Sequence, residues 1–219
     1  MALRGHPRQR LRPQAKVIMG FVFYGIFLYD VQRPDGHRHK MSDAAASTGR
    51  LILRHSMQKQ EKIMNMETLI KKLAEAGKTI SVMESCTGGG IANAITNVSG
   101  ASEVFSFGAV TYSNEYKLRF GVSKEVLDKY TVYSAETACE MSLRIREYTG
   151  SDYGVGVTGR LNRQDPANPA GELGQVFLSV SSSETEPPLC RTLTLLPADR
   201  AAAKTQIIEA FCEMMAELL

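Results

Sequence analysis

From residue 66 onward the spacing of apolar positions changes several times, and each change marks a new element. In "METLIKKLAEAG" (66–77), Leu69, Ile70, Leu73 and Ala74 recur three and four apart, one helical stripe that stops at Gly77. "KTISVM" (78–83) is a short apolar run of strand length. "GIANAITNV" (90–98) predicts a helix that stops near Gly100, and "FSFGAVTYS" (105–113) a second strand with a glycine inside it. "EYKLRF" and "SKEVLDKY" predict short helical pieces broken at Gly121. "SAETACEMSLRIREYTG" (134–150) predicts an amphipathic helix with Ser134 as N-cap and Gly150 as its stop. "YGVGVTG" (153–159), "QVFLSVSS" (175–182) and "CRTLTLL" (190–196) predict three more strands, and residues 198–219 a closing helix. The last three strands lack long intervening helices. The order therefore predicts one layered α/β/α domain with a mixed β-sheet. The polar stretch "RLNRQDPANPAGELG" (160–174) has no periodicity, and loops of that length in a compact domain are usually functional.

The first sixty residues follow another logic. "MALRGHPRQRLRPQAK" is basic, and "VIMGFVFYGIFLY" after it has thirteen uncharged residues, short of the about 20 that a transmembrane helix needs. A basic flank before a short apolar core is the pattern of a secretory signal, but no small-x-small cleavage site follows closely. Residues 1–60 are expected to be an extension of low order outside the functional fold, with Met57, Met64 or Met66 as alternative beginnings. A signal or membrane-associated role, and an ordered extension, are the other readings. The 219 residues thus divide into 1–60 and a main domain, 61–219, long enough for a full core.

Charge divides at the same place. Residues 1–60 carry eleven Lys/Arg against three Asp/Glu, and residues 61–219 fifteen against twenty. A mildly acidic main domain argues against a nucleic-acid partner, which calls for clustered Lys/Arg on one face. All four histidines, His6, His37, His39 and His55, also lie in the first segment. A Ser-His-Asp triad is therefore excluded from the main domain, and acid–base chemistry there falls to Lys, Tyr, Asp or Glu. Cys86, Cys139, Cys190 and Cys212 are far apart with no C-x-x-C pair, so no metal site is expected and a reducing compartment is.

In an α/β sheet, ligands gather at the carboxyl ends of strands. Four segments end there: "ESCTGG", "TYSNEYK", "TGRLNRQDP" and Asp199-Arg200. The first, within "MESCTGGGI", is neither a Walker A loop nor G-x-S-x-G, because residue 83 is Met. It retains the logic of a strand–turn–helix nucleophile, with backbone N–H groups at Gly88 and Gly89 able to hold an oxyanion or phosphate. A glycine turn with a buried cysteine and a capping hydroxyl explains the stretch equally well, and spacing leaves Ser85 and Cys86 open as nucleophiles. Without histidine, a serine would need a lysine whose pKa is depressed by burial. Lys117, five residues after Tyr112, is the candidate, against the ordinary case of a solvated surface lysine.

"ESCTGG", "GAVTYSNEYK", "GVSKEVLDKY" and "VGVTG", in this order and spacing, resemble the C-terminal domain family of the competence-damage-inducible protein CinA. The resemblance covers roughly residues 64–219. It implies a cytoplasmic nicotinamide-nucleotide amidase that hydrolyses the carboxamide of nicotinamide mononucleotide, a small-molecule nucleotide, to nicotinate mononucleotide and ammonia. It implies no metal or organic cofactor, no membrane partner for the main domain and a tendency to homodimers. By the same resemblance Ser85 is the nucleophile, and Lys117 with Tyr112 relays the proton. Thr87, Gly88 and Gly89 hold the oxyanion or substrate, and Thr158 and Arg200 bind the phosphate. The sequence departs from the family in residues 160–174, where Arg160 and Arg163 stand in place of small residues. That departure leaves two alternatives to the amidase reading. One is a non-catalytic or repurposed nucleotide binder, and the other an amidase for a different carboxamide.

Overall fold

A computed structural model describes residues 64–219, apart from Ala167 and Ala170. The expectations for residues 1–60 lie outside the described residues. Helix α1 (Met66–Glu75) starts at Asn65, whose side chain accepts the Thr68 N–H at 2.8 Å. It leads into strand β1 (Ile80–Glu84), helix α2 (Gly90–Thr96), a 3₁₀ turn (Ala101–Glu103) and strand β2 (Phe105–Val110). Two short helices, α3 (Asn114–Arg119) and α4 (Lys124–Tyr130), precede the long α5 (Ala135–Thr149). Strands β3 (Tyr153–Gly159), β4 (Gln175–Ser182) and β5 (Leu189–Thr194) follow, and α6 (Arg200–Ala216) closes the chain.

The five strands form one mixed sheet in the order β2-β1-β3-β4-β5. The first three are parallel, while β4 runs antiparallel to both β3 and β5. Side-chain alternation along the strands builds two cores. Ile80 and Val82 pack with Leu69, Leu73, Ile95 and Phe211 on the face covered by α1, α2 and α6, while Met83 packs with Met141 and Ile145 under α5. Each of these side chains is at most 1% exposed, and full burial contributes about 1.5–3 kcal/mol per residue.

Over β3 and β4 the face toward α5 is built from small residues. A Cβ on Gly156 would lie 2.2 Å from the Ala138 carbonyl oxygen, and one on Gly154 equally close to that of Ser142. In the space that remains, the Ser142 and Ser179 hydroxyls meet at 2.9 Å, and Ser181 Oγ donates to the Ser142 carbonyl at 2.8 Å. Over β3 and β4 the close approach of helix to sheet thus rests on hydrogen-bonded small side chains, beside the aliphatic cluster of Met83, Met141 and Ile145.

The layered α/β/α architecture with a mixed sheet is the one the sequence predicts. Ser134 caps α5 by accepting the Thr137 N–H, and Gly150 ends it in the left-handed region. Several boundaries differ, and two of them bear on the site. The first strand runs on to Glu84, and the second stops at Val110, because Ser113 is needed to cap α3 by accepting the Tyr116 N–H. The parallel β1, β2 and β3 bring their following segments, 85–89, 111–113 and 160–174, to one end of the sheet.

Candidate active site

Buried Glu84, the last residue of β1, organises the first turn of the site. Its carboxylate accepts three backbone N–H groups, from Gly89 and Ile91 at 3.1 Å and from Ala92 at 2.8 Å. It therefore satisfies the orphan donors of Ile91 and Ala92 in the first turn of α2, with that of Gly89 before it. The chain must turn back within four residues to reach those donors, and Gly88 and Gly89 supply the positive φ values of 62° and 91° that the reversal requires.

This arrangement overturns one expectation. The N–H groups of Gly88 and Gly89 are not free for an oxyanion: Gly88 donates to the Ser85 carbonyl at 3.0 Å and Gly89 to Glu84. The N–H of Cys86, the residue after Ser85, makes no hydrogen bond to a backbone or side-chain oxygen among the described residues. Thr87 is fully buried, and its hydroxyl likewise has no partner among the described residues.

Ser85 and Lys117 come together. Lys117, on α3, is 0% exposed, and its Nζ lies 3.3 Å from Ser85 Oγ and 2.8 Å from the Thr111 carbonyl oxygen, to which it donates. Among the described residues it has no carboxylate partner. Burial lowers its pKa from 10.5 to about 8. The buried Cys86 thiol is pushed the other way, up to about 12, chiefly by desolvation. At neutral pH the turn therefore presents a hydroxyl paired with an amine that titrates near physiological pH, beside a thiol held protonated.

Tyr112 stands outside this pair. It is 66% exposed and forms no hydrogen bond with Ser85 or Lys117, so the expected relay through it is not assembled. Its side chain instead lines a cavity of about 330 Å³ together with Ser85, Tyr133, Arg163, Asp165 and Arg200. That volume is within the range of small-molecule sites.

Thr158 is also displaced from its expected role. It is fully buried and donates to the Val132 carbonyl at 2.8 Å, tying β3 to the segment before α5, and is not available to a phosphate. Arg200, the first residue of α6, does reach the cavity, and its Nη1 donates to Asn162 Oδ1 at 3.2 Å. One turn later, Lys204 extends its ammonium to 3.3 Å from where a Gly88 Cβ would stand.

The two arginines of the divergent loop differ in use. Arg160 is 3% exposed, and its guanidinium donates to the loop's own oxygens: Gln164 Oε1 at 2.9 Å, the Gly171 carbonyl at 2.6 Å and the Asn168 carbonyl. It also lies over the Tyr133 ring, 4.8 Å from the centroid. Arg160 therefore folds the loop from within, and forms part of the cavity wall as it does so. Tyr133 donates from its hydroxyl to Asp165 at 2.8 Å, and burial with this carboxylate raises its pKa to about 12. Arg163 is exposed and lines the cavity. The sequence singled out neither Glu84 nor Tyr133 for a role. An acidic residue closing a strand just ahead of a glycine-led helix was a usable signal for Glu84, whereas Tyr133 joins the site only through the loop contacts. Among the described residues, no helix is long and apolar enough to cross a membrane.

The family model of the CinA C-terminal domain matches residues 63–219. The CinA-like protein of Kosmotoga olearia is 43% identical over 115 residues, which cover 52% of this chain and 28% of that protein. A competence-damage inducible protein of Thermoanaerobacter sp. (strain X514) is 37% identical over 145 residues, 65% of this chain and 34% of its own. The chain thus spans about a third of the length of these curated relatives. Among solved structures, the competence/damage inducible protein CihA from Agrobacterium tumefaciens superposes with a TM-score of 0.62 at 28% identity, covering 70% of this chain and 94% of that one.

Proposed function

The chain belongs to the CinA C-terminal domain family, and we propose that it is a serine amidase hydrolysing the carboxamide of nicotinamide mononucleotide. The observation that carries this reading is the 3.3 Å contact between Ser85 Oγ and the buried Lys117 Nζ at the cavity. In the neutral form that burial favours, Lys117 takes the Ser85 proton as Oγ attacks the carboxamide carbon. The tetrahedral oxyanion accepts from the Cys86 N–H, the donor next to the nucleophile. Lys117 then returns its proton to the amide nitrogen, and the C–N bond breaks to release ammonia and leave an acyl ester on Ser85. Water, deprotonated by Lys117, attacks the ester, and the acid departs as Ser85 regains its proton.

The cavity walls suit the two charges of this substrate. Arg163 and Arg200 offer guanidinium groups for the phosphate. Tyr112 presents an aromatic face, and Asp165 a carboxylate held by Tyr133, toward the cationic pyridinium ring. Purified chain incubated with nicotinamide mononucleotide is expected to release ammonia and nicotinate mononucleotide in equal amounts. Nucleotide binding by calorimetry with no ammonia released would overturn the amidase reading and leave a nucleotide binder.

A further inference from the structure

Away from Ser85, two cysteines distant in sequence share one spot. Cys190 on β5 pairs in register with Ser179 on β4, and Ser179 bonds Ser142 on α5. Ser142 in turn donates to the Cys139 carbonyl at 2.7 Å. From the other side, Cys190 Sγ lies 3.9 Å from the Ala135 carbonyl oxygen, the acceptor for the Cys139 N–H in the α5 helix ladder. The sulfur of Cys190 is thus seated against the backbone turn that carries Cys139, close enough for each thiol to shift the other's titration. Both are free and partly exposed, in contrast to Cys86 and Cys212, which are buried.

We propose that Cys139 and Cys190 are an oxidisable dithiol that hydrogen peroxide closes to an intrachain disulfide, latching the first turns of α5 to the edge strand β5. Contact with Cys190 and then Ser179 lowers the Cys139 pKa to about 7, whereas the Cys190 thiol is held protonated. Glu136, on the same helix, opposes the Cys139 thiolate but does not outweigh those contacts. The attack is assigned to Cys139. Its thiolate attacks one peroxide oxygen, the O–O bond breaks, and the departing hydroxide takes a proton to become water. The sulfenic acid so formed is attacked by Cys190, which loses its proton as the S–O bond breaks and a second water leaves. The two sulfurs give up two electrons, and the hydrogen peroxide accepts them. The bond encloses a loop of about 50 residues, long enough for the cross-link to restrict the unfolded chain substantially. The latch uses neither Ser85 nor Lys117.

The test is hydrogen peroxide treatment of the full, folded chain, with thiol counting after denaturation and peptide mapping. Two of the four thiols are expected to disappear, the intact mass to fall by about 2 Da, and one cross-linked peptide pair to carry Cys139 and Cys190. Dithiothreitol should reverse all three changes. Oxidation should raise Tm by roughly 5 °C or more in the wild-type chain and leave Cys139→Ser and Cys190→Ser unchanged. In Cys190→Ser, Cys139 should stop at a sulfenic acid that dimedone traps. Persistence of all four thiols under conditions that oxidise free glutathione would overturn the proposal. So would a bond to Cys86, Cys212 or a second chain.

Discussion

Replacing Lys117 by Met tests the buried amine on stability as well as on chemistry. The gap between a folded pKa of about 8 and the ordinary 10.5 corresponds to roughly 3 kcal/mol at ~1.36 kcal/mol per pKa unit. Because the folded pKa is the lower one, the unfolded chain binds more protons between about pH 8 and 10.5, and this contribution to stability rises with pH across that window. Below pH 8 the wild type carries the whole penalty. The variant escapes it but loses the bonds to Ser85 Oγ and the Thr111 carbonyl, about 1 kcal/mol each. Lys117→Met should therefore be about 1 kcal/mol more stable than wild type at pH 7, and about 2 kcal/mol less stable near pH 10.5, while inactive throughout. Cys86 and Tyr133 also titrate at high pH, but they do so in both proteins and largely cancel in the difference. Urea unfolding of the two proteins at matched pH values gives that difference directly. A stability difference that stays constant from pH 7 to 10.5 would refute a charged Lys117 buried at a cost.

Three further substitutions probe the surroundings. Glu84→Gln removes the charge that accepts three N–H groups at α2 and should cost about 1–3 kcal/mol in urea unfolding, with a fall in turnover as the Ser85 turn shifts. Gly156→Ala drives a Cβ to 2.2 Å from the Ala138 carbonyl oxygen, so α5 must move off the sheet; a loss of about 3 kcal/mol or more, or failure to yield folded protein, is expected by circular dichroism. Arg160→Ala empties the centre of the 160–174 loop and should raise KM at least roughly tenfold while changing kcat less, because the walls carrying Arg163 and Asp165 are no longer held.

Much of the fold is written in short-range pattern. The stripe through Leu69 and Leu73, the Ser134 cap and the Gly150 stop are local, and all appear as read. The boundaries at Glu84 and Ser113 were misplaced because each residue serves the helix after it, Glu84 across five to eight residues and Ser113 by capping α3. The pairing of Ser85 with Lys117 was legible because removing histidine leaves few bases, and the motif resemblance pointed to the same residues. The oxyanion donors were misassigned to the glycines because composition does not show that Glu84 already holds one of their N–H groups. Thr158 was misassigned because its hydroxyl is used on a carbonyl 26 residues away. In sequence Arg160 was only a departure from a small residue, whereas its fork satisfies carbonyls that only the folded loop brings together.

On the proposed mechanism Ser85, and not its neighbour Cys86, attacks the carboxamide. Ammonia release from nicotinamide mononucleotide by wild-type chain, Ser85→Ala and Cys86→Ala, measured at pH 8, tests it most directly. The geometry predicts that Ser85→Ala loses on the order of 10³-fold or more in kcat/KM, whereas Cys86→Ala, a packing change beside the turn, stays within about tenfold of wild type. Equal release by wild type and Ser85→Ala, with loss in Cys86→Ala, would contradict it.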